Sequence, residues 1–128
     1  DAALVDAPCS NLGTLRRRPE ARWRHGPAEL ERLAALQLEL LEAAACAVRP
    51  GGHVLYSVCT WTGTETDEVV DAALARHPEL EPAPLAGPAA MTGAGAAGGP
   101  AAPPARRQYW PHRHGSDGIF IARLRKIH

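Results

Sequence analysis

One stretch constrains this chain more than any other. Pro50-Gly51-Gly52 stops whatever precedes it, and His53-Val54-Leu55-Tyr56-Ser57-Val58 then runs through mostly β-favouring side chains to Cys59 and Thr60. The pattern predicts a buried strand that delivers a thiol at its own C-terminal end. A second run has the same form: Ala2-Ala3-Leu4-Val5 leads into Asp6, Ala7, Pro8, Cys9 and Ser10, a short apolar stretch closed by a turn signal. A long helical segment separates the two. Two strand ends, each bearing a cysteine, lead to the expectation that both thiols serve one reaction.

With 128 residues the chain can bury one core and is too short for two ordinary domains. Acidic and basic residues balance at 14 each, so net charge alone selects no partner. Three cysteines without a dense spacing pattern or a secretory leader point to a reducing cytoplasm. No apolar run approaches the roughly 20 residues that a membrane span needs. The chain begins without a methionine and almost directly in a strand, as expected of a piece of a longer protein.

Residues 3–6 read as a short buried strand, with a loop to about Gly13. From Thr14 to His25 the chain is basic, with Arg16, Arg17, Arg18, Arg22, Arg24 and His25 opposed by Glu20 and with Trp23 among them. Such a run is either a solvated face or a phosphate-contacting stretch with an aromatic ring for stacking. Its position directly after the Cys9 loop favours the second reading. Gly26-Pro27 opens a helix, and Leu30, Leu33, Ala34, Leu41, Ala44, Ala45 and Val48 recur at helical spacing toward the sheet. Leu36, Leu38 and Leu40 widen that face into a largely covered helix, and Cys46 reads as a small core residue. Beyond Cys59, Thr62-Gly63-Thr64-Glu65 and Thr64-Glu65-Thr66-Asp67 both offer a capping box, followed by a helix through Val69, Val70, Ala73 and Leu74 that stops before Pro78. Pro82 and Pro84 restrict residues 80–85 to a weak or edge strand. Residues 86–105 are almost all Gly, Ala and Pro and read as a mobile surface loop. A basic, aromatic run from Arg106 to Gly115 then leads through Asp117-Gly118 into a final strand, Ile119 to Leu124. The order strand, helix, strand, helix, loop, strand is that of a largely parallel α/β sheet. Ligands of such sheets bind outside the carboxyl ends of the strands. Neighbouring strands about 4.8 Å apart would turn Cys9 and Cys59 toward one pocket, with Asp6 beside them.

Asp6-Ala7-Pro8-Cys9-Ser10 and Tyr56-Ser57-Val58-Cys59-Thr60 resemble the two cysteine motifs of RNA cytosine-5 methyltransferases. The likeness is to the bacterial Fmu/Sun (RsmB) branch, which modifies small-subunit ribosomal RNA. It continues through Leu15-Arg16-Arg17-Arg18-Pro19-Glu20-Ala21-Arg22-Trp23, the helix around Leu36-Gln37, and Trp110-Pro111-His112-Arg113-His114-Gly115-Ser116-Asp117-Gly118. The resemblance implies the C-terminal half of a Rossmann-like class I S-adenosylmethionine-dependent methyltransferase sheet. It further implies S-adenosylmethionine as cofactor, RNA as partner, and a cytoplasmic full-length enzyme that is monomeric and needs neither metal nor membrane.

The implied chemistry accounts for both thiols. Carbon 5 of cytosine is a poor nucleophile until a thiolate adds to carbon 6 and makes it enamine-like. The resemblance assigns that attack to Cys59, and removal of the carbon 5 proton to Cys9, directly or through a water. A free thiol with a pKa of about 8.5 is only about a few per cent thiolate at neutral pH, so surroundings that favour the anion are expected. Asp6 would line the site and hydrogen-bond the base or the cofactor. Arg16, Arg17, Arg18, Arg22, Trp23 and Asp117 are the expected RNA contacts.

The likeness also has departures. A glycine-rich loop after the first strand and an acid after the second normally hold the cofactor, and neither is present; Gly93-Ala94-Gly95 has no flanking strand or helix to serve as that loop. The chain corresponds to the family from its fourth strand onward, so by itself it is expected to methylate poorly or not at all, with an open strand edge. Asn11 stands where glycine is commonest, and Ile119-Phe120 replaces a pair of phenylalanines. Two other readings stand beside the enzyme: a catalytically incomplete remnant that binds RNA through its arginines, and an α/β interaction module whose cysteines are incidental. A metal site completed by His112 or His114 fits no zinc spacing.

Overall fold

Along β2 (His53–Val58), Val54, Tyr56 and Val58 are buried while His53, Leu55 and Ser57 are half-buried. This is the two-residue period of a strand with one face in the core. The computed structural model describes residues 1–85 and 104–128. Most of the stretch expected to be a mobile loop, residues 86–105, therefore lies outside the described residues.

The first strand, β1 (Ala2–Asp6), pairs parallel with β2, Leu4 opposite Leu55 and Asp6 opposite Ser57. The crossover between them is α1 (Pro27–Ala47), with proline in its first turn and Gly26 as N-cap. Leu33, Gln37, Leu41 and Ala45 form its buried stripe, one residue every four. Leu30, Ala34 and Ala44 are half-buried beside that stripe, and Val48 is buried just past the helix end. Two expectations for this helix fail. Leu40 remains exposed, and Cys46 is exposed rather than a core residue. Cys46 directly follows the inward-facing Ala45, and the helical turn carries it to the solvent side.

The second helix, α2 (Asp67–Arg76), buries Val69, Val70 and Ala73 and stops before Pro78 as expected. Its start differs. Thr62 to Glu65 leads into a short 3-10 turn over Gly63–Glu65, and neither Thr62 nor Thr66 caps a backbone amide through its side chain. The expected capping glutamate, Glu65, points inward instead.

Beyond α2 come β3 (Leu80–Pro82), β4 (Arg106–Tyr109), a one-turn helix α3 (Pro111–His114) and β5 (Ile119–Lys126). The strand order is β1-β2-β5-β3, and β4 also pairs with β5. β3 takes the edge position that Pro82 requires. The sheet is less parallel than its element order suggests: among the described residues β1–β2 is parallel, whereas β5 is antiparallel to β2, β3 and β4. Residues 110–118 are too few for a crossover back to the starting edge, so β5 returns against β4 and inserts antiparallel beside β2.

Tyr56, Leu41, Val54, Val58, Val70 and Leu124 are among the fully buried side chains between this sheet and α1 with α2. Each contributes about 1.5–3 kcal/mol by leaving water. The opposite face is more open at β1, where Leu4 is 66% exposed. No helix among the described residues is long and apolar enough to cross a membrane.

Candidate functional site at the strand ends

The parallel pairing of β1 and β2 puts both cysteine loops at one edge of the sheet. An Ala7 N–H to Ser57 carbonyl bond (3.2 Å) extends the ladder one step past β1. The Cys9 loop then folds back over the end of β2, where the Gly13 N–H donates to the Cys59 carbonyl at 2.9 Å. A third segment joins at the same point, because the Gly118 N–H donates to the Gly13 carbonyl at 2.7 Å. Both crossing residues must lack a side chain. A Cβ on Gly13 would lie 1.8 Å from the Gly118 oxygen, and one on Gly118 would lie 2.7 Å from the Trp61 ring.

Asn11 adopts φ 59° and ψ 21°, the left-handed conformation that favours glycine. Asparagine is among the few residues other than glycine that tolerate this region. Its side-chain amide donates to the Cys9 carbonyl at 3.2 Å, and its oxygen lies 3.7 Å from the Cys9 Sγ.

The two thiols meet different surroundings. Cys9 is buried, and burial pushes its pKa up to about 11; the Glu65 charge adds to the rise, and hydrogen bonds with the Asn11 and Cys59 backbone oppose it. Cys59 is half-buried. Burial, then the carboxylates of Asp6 and Asp117, push it up, while the Arg17 guanidinium pulls it down. The expectation that the surroundings favour a thiolate is therefore not met. The burial and acids around Cys59 outweigh its one cationic neighbour.

Asp6 ends β1, is exposed, and is close enough to Cys59 for its charge to act there. Asp117 is gripped by two arginines. Arg16 Nε lies 3.0 Å from Oδ1, and Arg17 Nε and its terminal nitrogen lie 2.9 and 2.5 Å from Oδ2. These hydrogen bonds hold the Asp117 carboxyl below the usual carboxylate range. The basic run thus has one end folded onto the loop before β5, close enough to Cys59 for the charges of Arg17 and Asp117 to act there. Arg18 caps the turn Pro19–Trp23, Arg22 and Trp23 lie within it, all three are exposed, and Trp23 is 83% exposed.

Sequence reasoning missed the polar centre beneath the two loops. Glu65 is fully buried, and its carboxylate accepts from the Ser10 N–H (2.7 Å), Ser10 Oγ (2.7 Å), Thr60 Oγ1 (2.9 Å), Thr62 Oγ1 (2.8 Å) and Gln37 Nε2 (3.2 Å). Gln37 Nε2 also donates to the Pro8 carbonyl, and the Tyr56 hydroxyl donates to the Glu65 carbonyl. Burial works against the charge, yet the Ser10, Thr62 and Thr60 donors overcome it and hold the Glu65 carboxyl below its ordinary range. Each buried donor left without its acceptor here would cost about 1–3 kcal/mol. The available signal was Gln37, an amide placed in the middle of an apolar i, i+4 stripe.

Aromatic rings flank the site. Trp61, just past Cys59, stacks on Trp110 at 5.9 Å, and Trp110 in turn meets His112 at 5.9 Å. The Gln108 amide ties β4 to the Thr60 carbonyl at 3.2 Å. His114 accepts from the Trp110 N–H at 2.9 Å. Among the described residues no group of three or more His, Cys, Asp or Glu could hold a metal ion.

Comparison with known proteins matches this geometry. The chain is 44% identical over 124 residues to the ribosomal RNA small subunit methyltransferase B of Thermus thermophilus, covering 97% of this chain and 29% of that protein. It superposes on the crystal structure of PH0851 with a TM-score of 0.82 and 37% identity, covering 98% of this chain and 26% of the other. It superposes on NSun6 from Pyrococcus horikoshii, solved with SFG, with a TM-score of 0.73 and 28% identity over 98% of this chain and 29% of the other. The chain spans about 26–29% of the length of the curated relatives it matches. The sheet is that of class I methyltransferases, as expected. The sequence model described as 16S rRNA methyltransferase RsmB/F matches residues 1–125, and the chain belongs to that family.

Proposed function

We propose that the protein to which this chain belongs transfers a methyl group from S-adenosylmethionine to carbon 5 of a cytosine in small-subunit ribosomal RNA, through a covalent bond to Cys59. The observation that carries this reading is the convergence of two cysteine loops at the ends of adjacent parallel strands. One thiol there is half-buried and the other is buried. Family membership and the SFG, an S-adenosylmethionine analogue, held by the NSun6 structure support the choice of reaction and cofactor.

The donor set at the β1 end suits a cationic cofactor. Asp6 is an exposed carboxylate beside Cys59, so it would hold one side of S-adenosylmethionine, which when bound supplies an electrophilic methyl. The chain's own residues carry the remaining work. The Cys59 thiol gives its proton to water, its sulfur adds to carbon 6 of the ring, and carbon 5 becomes nucleophilic. After methylation, the proton on carbon 5 passes to Cys9, directly or through a water. The electron pair of that C–H bond re-forms the ring double bond, and the Cys59 sulfur leaves. A thiol pushed up to about 11 is protonated at rest, so Cys9 first passes its own proton to water, and the thiolate that remains is a strong base. Arg18, Arg22 and Trp23 offer phosphate contacts and a stacking surface, while Asp117 orients Arg16 and Arg17 toward the same strand of RNA.

The test uses the whole protein with Cys9 changed to Ala, supplied with 16S ribosomal RNA and S-adenosylmethionine. A covalent protein–RNA adduct through Cys59 should accumulate, because attack proceeds and release does not. Absence of any adduct, with the wild type forming 5-methylcytosine, would overturn the division of roles between the thiols.

A further inference from the structure

We infer that Glu65 is the positioning residue that sets the Cys9 loop against the Cys59 loop, an inference that rests on the two-thiol reading above. Glu65 touches neither thiol. It acts through Ser10 and Thr60, the residues immediately after the two cysteines. One carboxylate oxygen takes the Ser10 N–H and the Gln37 amide, and the other takes the hydroxyls of Ser10, Thr60 and Thr62. The Ser10 and Thr60 hydroxyls also lie 3.1 Å from each other, which closes the triangle.

These bonds join segments that are 55 residues apart in the chain and share no ladder beyond the strand ends. Gln37 adds the third side: while donating to Glu65, it donates to the Pro8 carbonyl, one residue before Cys9. The Cys9 loop is thus held on both flanks of its thiol from a single buried point. The Cys59 loop is held on one flank by Thr60 and Thr62, and from below by the Tyr56 hydroxyl on the Glu65 carbonyl. Two-thiol chemistry needs that spacing, because one sulfur must reach carbon 6 while the other serves the proton on carbon 5. Misplacement by about 1 Å can cost on the order of a hundredfold in rate.

A merely stabilising hub would make a different prediction, so the test compares Glu65→Ala with Leu124→Ala. Leu124 is a fully buried core residue in the half of β5 away from the cysteines, opposite Val54. Both variants are made in the whole protein and assayed where each is folded. Glu65→Ala should lower kcat about a hundredfold with KM within about threefold, and Leu124→Ala should leave both near wild type. Glu65→Gln should regain at least about tenfold of the loss, because two of the three hydroxyls can turn to accept from its amide.

Thiol alkylation gives a readout independent of turnover. Measured against the exposed Cys46, Cys9 should react at least about tenfold faster in Glu65→Ala and unchanged in Leu124→Ala. Equal kcat losses in the two alanine variants would overturn the positioning role, and so would a Gln variant as slow as Ala or an unchanged Cys9 alkylation rate. A wild type that methylates no cytosine would instead overturn the reading of the reaction, and the alkylation result would still decide whether Glu65 holds the loops.

Discussion

The Cys9 loop and the Cys59 loop leave neighbouring strands at the same edge, yet they present their thiols in opposite ways. Cys9 sits behind the loop, buried, its carbonyl tied to Asn11 and its thiol pushed up to about 11. Cys59 lies at the rim, half-buried, among Asp6, Asp117 and Arg17. A nucleophile needs access to the ring, whereas a proton acceptor needs affinity for a proton and shelter from alternative acids. The sequence presents the two cysteines alike, each after a short apolar run, and only the fold makes them unlike. The loop's return over β2, through Gly13 on the Cys59 carbonyl, is what separates them.

The largest effect should come from removing the rim thiol. Cys59→Ala in the whole protein should lower methylation by at least about 10⁴-fold and abolish every covalent adduct, including that expected of Cys9→Ala. An adduct in the Cys59→Ala, Cys9-intact protein would reverse the assignment of the two roles.

Next in size is the crossing that keeps the loops apart. Gly13→Ala drives a methyl into the Gly118 carbonyl and toward the Cys59 backbone, all main chain with little freedom to move. It should destabilise the fold by about 3 kcal/mol, read as a lower urea midpoint. A loss under about 1 kcal/mol would show that the crossing yields easily and does not keep the two thiols apart.

How much of this was legible follows from where the information lies. The strand ends, the α1 crossover and the edge position of β3 were readable, since periodicity and proline placement are local signals. Cys46 was misread because alanines surround it in the chain, whereas its exposure depends on which way the helix turns. Glu65 was misread for a related reason. Its Thr-x-x-Glu spacing fits a cap, and nothing nearby in sequence reveals that Ser10 arrives 55 residues away to claim the carboxylate. The antiparallel β5 was hidden too, because its direction follows from the length of a connection and not from its own residues.

The buried carboxylate beneath the loops also sets a pH dependence. Because Glu65 is held below its ordinary range when folded, the stability it contributes is fully present above the unfolded glutamate pKa and is lost as pH falls through its folded value. Glu65→Gln should therefore flatten the acid limb of the stability curve, with wild type and variant converging only at the most acidic pH. Parallel acid limbs in chemical denaturation would mean that folding does not lower the pKa of the Glu65 carboxyl.

The smallest effect is the sharpest probe of the contrast between the thiols. Asp117→Asn removes a charge that raises Cys59 and frees Arg17, which lowers it, so both changes favour the thiolate. Arg17→Gln removes the lowering charge and should do the reverse. At one fixed, mildly alkaline pH, alkylation of Cys59 should be faster than wild type in the first variant and slower in the second, with exposed Cys46 as the internal reference. Cys9 should change in neither, because burial and Glu65 set its proton affinity and the arginine clamp does not. If the two variants shift Cys59 in the same direction, the acids and arginine at the rim do not tune it, and burial alone makes the two thiols differ.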